Sequence, residues 1–147
     1  MVISIRSRIL GVVETDESRR VVFPLGLFGF ENYHEFYLLD MDKDGMFHIL
    51  QSADDADLAF IIIAPGLIFS WYNLDIHAND LAELGITDLN DMFVFLIVTV
   101  PERMQEMTVN LQGPIVINKT TRTAKQCISL NEKHSTKHPM AETAPVT

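Results

Sequence analysis

Cysteine is nearly absent: Cys127 stands alone among 147 residues, so no intramolecular disulfide framework is possible and the fold must rest on its hydrophobic core. A reducing compartment suits such a chain. Long apolar runs are missing as well. Leu58 to Ile68, interrupted by Pro65 and Gly66, falls far short of the roughly 20 residues that span a bilayer. Met1 to Leu10 carries Arg6 and Arg8 where a secretory signal would be continuously apolar. The expectation is a cytoplasmic protein with no membrane segment. Positive charge is scarce, 11 basic against 20 acidic residues for a net charge of −9. That field repels a phosphate backbone, disfavouring direct nucleic-acid binding, and favours encounter with a basic protein.

Catalytic and cofactor patterns are absent too. The seven glycines are dispersed and form neither Gly-x-Gly-x-x-Gly nor a P-loop. His34, His48, His77, His134 and His138 pair neither with one another nor with Cys127 at a metal-ligand spacing. No serine lies in a Gly-x-Ser-x-Gly turn. No enzyme, cofactor or metal is therefore expected. Acidic clusters are the exception to weigh. Asp54, Asp55 and Asp57 resemble a hard-cation loop, as do Asp40, Asp42 and Asp44, yet neither carries the closing glutamate of an EF-hand. A barrel that holds a small ligand or divalent metal at Asp54, Asp55 and Asp57 is the rival reading. The plainer one is a solvated, turn-capping acidic loop.

What the chain does contain is apolar material for one core, 48% of its residues, in period-two or short buried runs punctuated by glycine, proline and aspartate. Ile3, Ile5 and Ile9 alternate with Ser4, Arg6 and Arg8, which predicts a first strand with the isoleucines buried; Gly11 permits a turn, and Val12 to Glu14 resumes the pairing. Phe36 to Leu39 and Phe47 to Leu50 flank Asp44-Gly45, a hairpin signal. Leu58 to Ile63 and Phe93 to Val100 read as strands buried on both faces. One short helix is predicted, capped by Asp80 with Glu83 as its capping-box partner and ended by Gly85, with a second capped turn over Thr87 to Asp91. Met107 to Leu111, Ile115 to Asn118 and Thr123 to Leu130 complete the strands, with Cys127 buried and inert in the last. From Asn131 to Thr147 the apolar pattern stops, which predicts a flexible polar tail after a domain over 1–130. The fold class is all-β, a small antiparallel β-barrel-like or two-sheet domain with one short helix. Phe69, Trp71 and Tyr72 suit either a partner hot spot or a filler at the barrel rim.

Several segments carry a resemblance. Phe23-Pro24-Leu25-Gly26-Leu27-Phe28-Gly29-Phe30-Glu31, Leu50 to Phe60, Ile97 to Glu102, and Met107 to Asn118 with Thr121, Arg122, Lys125 and Gln126 resemble, in order, the conserved blocks of the FliW family of flagellar assembly factors. Thr123 and Ala124 depart from the pattern, which has a glycine before the lysine. The resemblance implies a β-barrel-like domain that binds flagellin in the cytoplasm and antagonises the RNA-binding translational regulator CsrA, so that flagellin secretion sets flagellin synthesis. Chemistry suggests an apolar groove for an amphipathic flagellin helix. The candidate partner-binding surface joins Phe28 and Phe30 with Gln51, Asp54 and Asp55 and with Asn110, Gln112 and Asn118.

Overall fold

The computed structural model describes residues 1–140, without the side chains of residues 67, 68 and 104. Alternation at the start of the chain forms β1 (Val2–Ser7), paired antiparallel with β2 (Gly11–Asp16) as a separate two-stranded ribbon. Ile5 is buried and Ile3 half-buried, but Ile9 lies in the turn beyond β1 and is exposed, contrary to the expectation for it. Asp16 then caps a 3-10 turn over Glu17–Arg19. Its carboxyl is held down to about 2 by the backbone and side-chain hydrogen bonds of Ser18 and by the N-terminal ammonium.

The remaining strands are β3 (Arg20–Val22), β4 (Glu35–Asp40), β5 (Phe47–Ser52), β6 (Ala59–Ile63), β7 (Met92–Thr99), β8 (Thr108–Val109), β9 (Ile115–Asn118), β10 (Ala124–Gln126) and β11 (His138–Pro139). They form one nine-stranded sheet along the path β10-β9-β7-β6-β5-β4-β3, with β8 on β7 and β11 on β8, every ladder antiparallel. β7 pairs with β9 through Met92 to Phe95 and with β8 through Val98 and Thr99, so one long strand feeds two partners on the same edge. A single parallel bridge, Val22 to Thr123, brings the two ends of the path together, the Val22 N–H donating to the Arg122 carbonyl at 3.0 Å. The domain is thus barrel-like, held at its seam by one bridge.

Alternation sends successive side chains to opposite faces. Leu50 and Ile62 join Phe23, Leu27, Phe36, Phe95, Ile115 and Ile117 in the main core, while Ile63, Leu96, Val98, Val109 and Leu111 build a second around Phe69. β6 and β7 supply the centre, with Ile62, Ile63, Phe95, Leu96 and Val98 buried, while Phe60, Ile61, Phe93 and Ile97 are half-buried and Val100, expected in the strand, lies beyond it and is exposed; each fully buried large side chain contributes about 1.5–3 kcal/mol. Ile5 seats the β1–β2 ribbon against Tyr37, Leu39 and Ile49.

Helix is minor: a single turn, α1 (Pro65–Ile68), and α2 (Ala78–Glu83), neither long and apolar enough to cross a membrane. The N-cap of α2 is His77, whose Nδ1 accepts from the Asn79 N–H at 3.1 Å, and not Asp80, which lies within the helix. Gly85, at φ +68°, ends it as expected, and Asp88 caps the 3-10 turn Leu89–Asp91. Two strands are shorter than the sequence pattern. β8 stops at Val109 because the Asn110 Oδ1 accepts from the N–H groups of Gln112 (3.0 Å) and Gly113 (2.9 Å) and turns the chain. β10 stops at Gln126 because Pro114 opposite Cys127 has no N–H to return, although Cys127 and Ser129 still donate to the Pro114 and Gln112 carbonyls at 2.8 and 2.7 Å. In the β9–β10 turn, Arg122 is the one described non-glycine residue at positive φ, +60°.

The expected tail from Asn131 begins too early. Residues 131–140 pack on the body: β11 joins β8, the Leu111 N–H donates to the Ser135 carbonyl at 2.9 Å, and His134 and His138 are buried. Composition gave no hint of this because the anchors are histidines lodged among aromatics. The rest of the expected tail, residues 141–147, lies outside the described residues.

Candidate docking groove at the barrel seam

The glycine-rich segment after β3 folds into a tight loop. Phe23 and Leu27 are buried, the Gly26 N–H donates to the Phe23 carbonyl at 3.0 Å, and the Phe30 N–H to the Leu27 carbonyl at 2.8 Å. Gly26 sits at φ +69° with the chain at Glu31 folded so closely over it that a Cβ would lie 2.6 Å from Glu31 Cα. Anchoring Phe23 and Leu27 this way turns Leu25 between them, and Phe28 and Phe30 after them, outward: Leu25 is 65% exposed, Phe28 54% and Phe30 37%. Phe30 lies edge-on against Phe60, ring centroids 5.2 Å apart.

Gln126 on β10 ties this loop to the late strands. Its Oε1 accepts from the Phe28 N–H at 2.9 Å and its Nε2 donates to the Gly113 carbonyl at 3.1 Å. On either side of that tie lies a depression. One, of about 440 Å³, is lined by Phe28, Phe60, Ile97, Asn110 and Gln112. The other, of about 640 Å³, is lined by Leu25, Phe28, Glu31, Lys125, Ile128 and Leu130. Phe28, Gln126 and Ile128 are common to both, so the two form one groove along the seam. Ile128 (59% exposed) and Leu130 (55%) point outward while the intervening Ser129 is buried. The Ile-Ser-Leu pattern reads in sequence as apolar side chains facing the core with a wet serine between, so it hides Ile128 and Leu130 as groove residues; nothing in the sequence marks the bridging role of Gln126.

The rim is acidic. Lys125 Nζ lies 2.6 Å from Asp80 Oδ1 and 2.5 Å from Glu83 Oε2. Hydrogen bonding to Asp80, then to Glu83, raises its pKa above the ordinary lysine value. The pair clamps α2 to β10, and behind it burial, reinforced by the Asp80 carboxylate, pushes the Cys127 thiol up to about 12.

Of the residues the sequence nominated, Phe28, Asn110 and Gln112 meet in the first depression and Phe30 flanks it through Phe60. Gln51 and Asn118 do not reach the surface. Gln51 is fully buried, its Nε2 facing the carbonyls of Ser52, Asp55, Ala56 and Leu58 at 3.1–3.3 Å. Asn118 is buried too, donating to the Leu84 carbonyl at 2.8 Å and accepting from the N–H groups of Thr120 and Thr121. Asn118 serves backbone groups the sheet leaves over, whereas Gln51 is a second donor to the Asp55, Ala56 and Leu58 carbonyls, which already accept from the N–H groups of Leu58, Arg8 and Ser52. Asp54 lines a separate groove beside β1 with Ile3, Ser4 and Arg6. The Ser52 Oγ accepts from the Asp54 and Asp55 N–H groups, and Asp55 Oδ1 from the Asp57 N–H, which is turn-capping geometry. Among the described residues no three His, Cys, Asp or Glu side chains converge to hold a metal. The aromatic cluster is a filler: Phe69 is buried, and His138 packs edge-on against Phe69 and Trp71 while Tyr72 stacks on His134 at 4.8 Å. Ser129 Oγ lies 2.6 Å from His134 Nδ1, and burial lowers the pKa of that histidine.

Fold and groove together define a class: a barrel-like antiparallel β domain with an apolar channel along an incompletely zipped seam. The family model described as FliW protein matches residues 4–140, ending where the described fold ends. A flagellar assembly factor FliW of Leptospira interrogans (serovar Lai) is 40% identical, covering 99% of this chain and 98% of that protein. One of Treponema denticola is 38% identical over 91% of this chain and 90% of its own. A crystal structure of the flagellar assembly factor FliW superposes with a TM-score of 0.84 at 36% identity, covering 93% of this chain and 96% of that one. The chain belongs to the FliW family of flagellar assembly factors, a family of assembly factors and not of enzymes.

Proposed function

We propose that this assembly factor binds flagellin in the cytoplasm before export and, when free of it, antagonises the RNA-binding translational regulator CsrA, so that secretion governs flagellin synthesis. The observation that carries the reading is the seam groove, where Leu25, Phe28, Ile128 and Leu130 stand exposed along one channel with Phe30 flanking it against Phe60. Contiguous apolar surface of this kind on a soluble domain costs free energy until a partner covers it. An unpolymerised flagellin subunit has apolar surface of its own to cover. The cytoplasmic setting follows from the same reading, since a subunit captured before export is captured on the side where it is made. For the regulator, the support is electrostatic. A body of net charge −9 attracts a basic RNA-binding protein and, once docked, lowers the affinity of the neighbouring site for RNA.

The test is a pull-down from motile cells with the full chain as bait and separate readouts for flagellin and for the regulator. Both are expected in the unaltered eluate, and Phe28→Ala is expected to lower flagellin recovery about tenfold, as for a central aromatic contact. A folded chain that retains neither protein refutes the reading.

A further inference from the structure

The seam has an open backbone edge. In the β9–β10 ladder, Thr123, Lys125 and Cys127 face β9: Asn118 donates to the Thr123 carbonyl, Lys125 sits opposite Val116, and Cys127 donates to the Pro114 carbonyl. Ser129 continues the pattern by donating to Gln112. Antiparallel pairing alternates, so the N–H and C=O of the residues between point the other way. Gln126, only 6% exposed, and Ile128, 59% exposed, both line the groove on that side, so the edge opens fully at Ile128 and is narrow at Gln126. No described residue pairs with these four main-chain groups, the strand path ends at β10, and the closing bridge lies upstream at Thr123. Directly beside them run the side chains of Leu25, Phe28 and Leu130.

Resting on the reading that the groove takes a polypeptide, we infer that it takes an extended segment, added as a strand to the Gln126–Ile128 edge, with alternate apolar side chains against Leu25, Phe28 and Leu130 and a positive charge meeting the rim. A helix has already spent its main-chain groups internally and would leave those of Gln126 and Ile128 unmatched. Charge selects the occupant. Glu31, Asp80 and Glu83 rim the channel, and the one lysine there, Lys125, is already engaged by two of them. A second copy would bring another body of charge −9 to the same edge, whereas a cationic segment is drawn to it.

The test compares Ile128→Pro with Ile128→Ala in the full chain, using purified flagellin as probe. Both remove the apolar side chain, but proline alone also removes the outward N–H, a group the folded protein does not use. Melting of the two variants should agree within a few degrees. Strand addition predicts that the proline variant binds about tenfold more weakly than the alanine variant, through the lost hydrogen bond and the misfit at the added strand. On the unaltered chain, amide exchange at Gln126 and Ile128 should slow at least about tenfold in the complex, a readout that stands if the proline variant does not fold. Equal affinities with unchanged exchange at these amides would overturn strand addition in favour of docking through side chains, leaving the proposed function intact. Absence of flagellin binding by the unaltered chain would overturn both. A concentration-dependent dimer of the purified chain, abolished by Ile128→Pro, would overturn it in favour of self-pairing.

Discussion

Consider replacing Gly26 by alanine, with Gly29→Ala as its control. Both glycines lie in the loop that shapes the groove and both have positive φ, +69° and +85°. Each substitution therefore incurs the left-handed penalty of about 1–2 kcal/mol. Only one meets an obstacle. A Cβ on Gly29 has nothing within 4 Å, whereas on Gly26 it would stand 2.6 Å from Glu31 Cα, 2.7 Å from the Phe30 carbonyl oxygen and 2.8 Å from the Glu31 carbonyl carbon. Those atoms are main chain and have no rotamer to swing away, so the loop must open, which adds about 1–3 kcal/mol as in other overpacked sites. At roughly 3 °C per kcal/mol for a domain of this size, Gly29→Ala should melt about 3–6 °C lower than the unaltered chain and Gly26→Ala about 6–15 °C lower. Urea unfolding followed through Trp71, the only tryptophan and half-buried in the second core, measures both. If Gly26→Ala is no more destabilising than Gly29→Ala, the close approach of Glu31 does not hold the loop, and the account of why Leu25, Phe28 and Phe30 face outward fails.

Gln51→Glu sets a carboxylate oxygen where an amide N–H₂ now faces four carbonyls at 3.1–3.3 Å. It should destabilise the fold by about 2–4 kcal/mol at neutral pH. Because the buried glutamate would have its pKa raised, the loss should shrink as pH falls from neutral toward the ordinary value near 4.3 and level off below it; a pH-independent loss in urea titrations would contradict this. The Cys127 thiol, at about 12, should resist a thiol-specific disulfide reagent at pH 8 and react only as fast as the chain opens. Its folded pKa lies above the ordinary 9.0, so it adds a loss of stability as pH rises from about 9 to 12. Prompt labelling of the native protein would refute its burial.

Much of the sheet was legible because its signals are local. Asp44-Gly45 between two apolar runs gave the β4–β5 hairpin, and the unalternating runs around Ile62 and Leu96 gave strands covered on both faces. What escaped depends on partners far along the chain. Asp80 has the residue type and spacing of a helix cap, yet it serves Lys125 instead, and His77 takes the cap. His134 and His138 look like tail residues until Phe69, Trp71 and Tyr72 are folded against them. The site divides the same way. Phe28, Asn110 and Gln112 belong to the candidate surface and the fold brings them together; Gln51 and Asn118 belong to it equally and turn out to be buried against main-chain carbonyls. Polar residue type alone does not separate those two uses.

The open edge and the glycine-rich loop have a common origin in the seam. A barrel closes when its first and last strands pair along their length, which abolishes exposed edges. Here β3 and β10 meet only at Val22 and Thr123, and the second residue beyond that bridge on the β3 side is Pro24, which has no N–H to give. The chain then turns through Gly26, at positive φ, and forms no further bridge to β10. Gln126 partly replaces the missing ladder by reaching across with its side chain to the Phe28 N–H, so the loop stays registered on β10 while main-chain groups of Gln126 and Ile128 remain unclaimed. A fully zipped barrel would be protected from aggregation, but it would have no channel at this position. Leaving the seam open only downstream of the bridge confines the exposed edge to a few residues, flanks it with Glu31, Asp80 and Glu83, and so guards it against another copy of the same acidic protein while keeping it open to a cationic one.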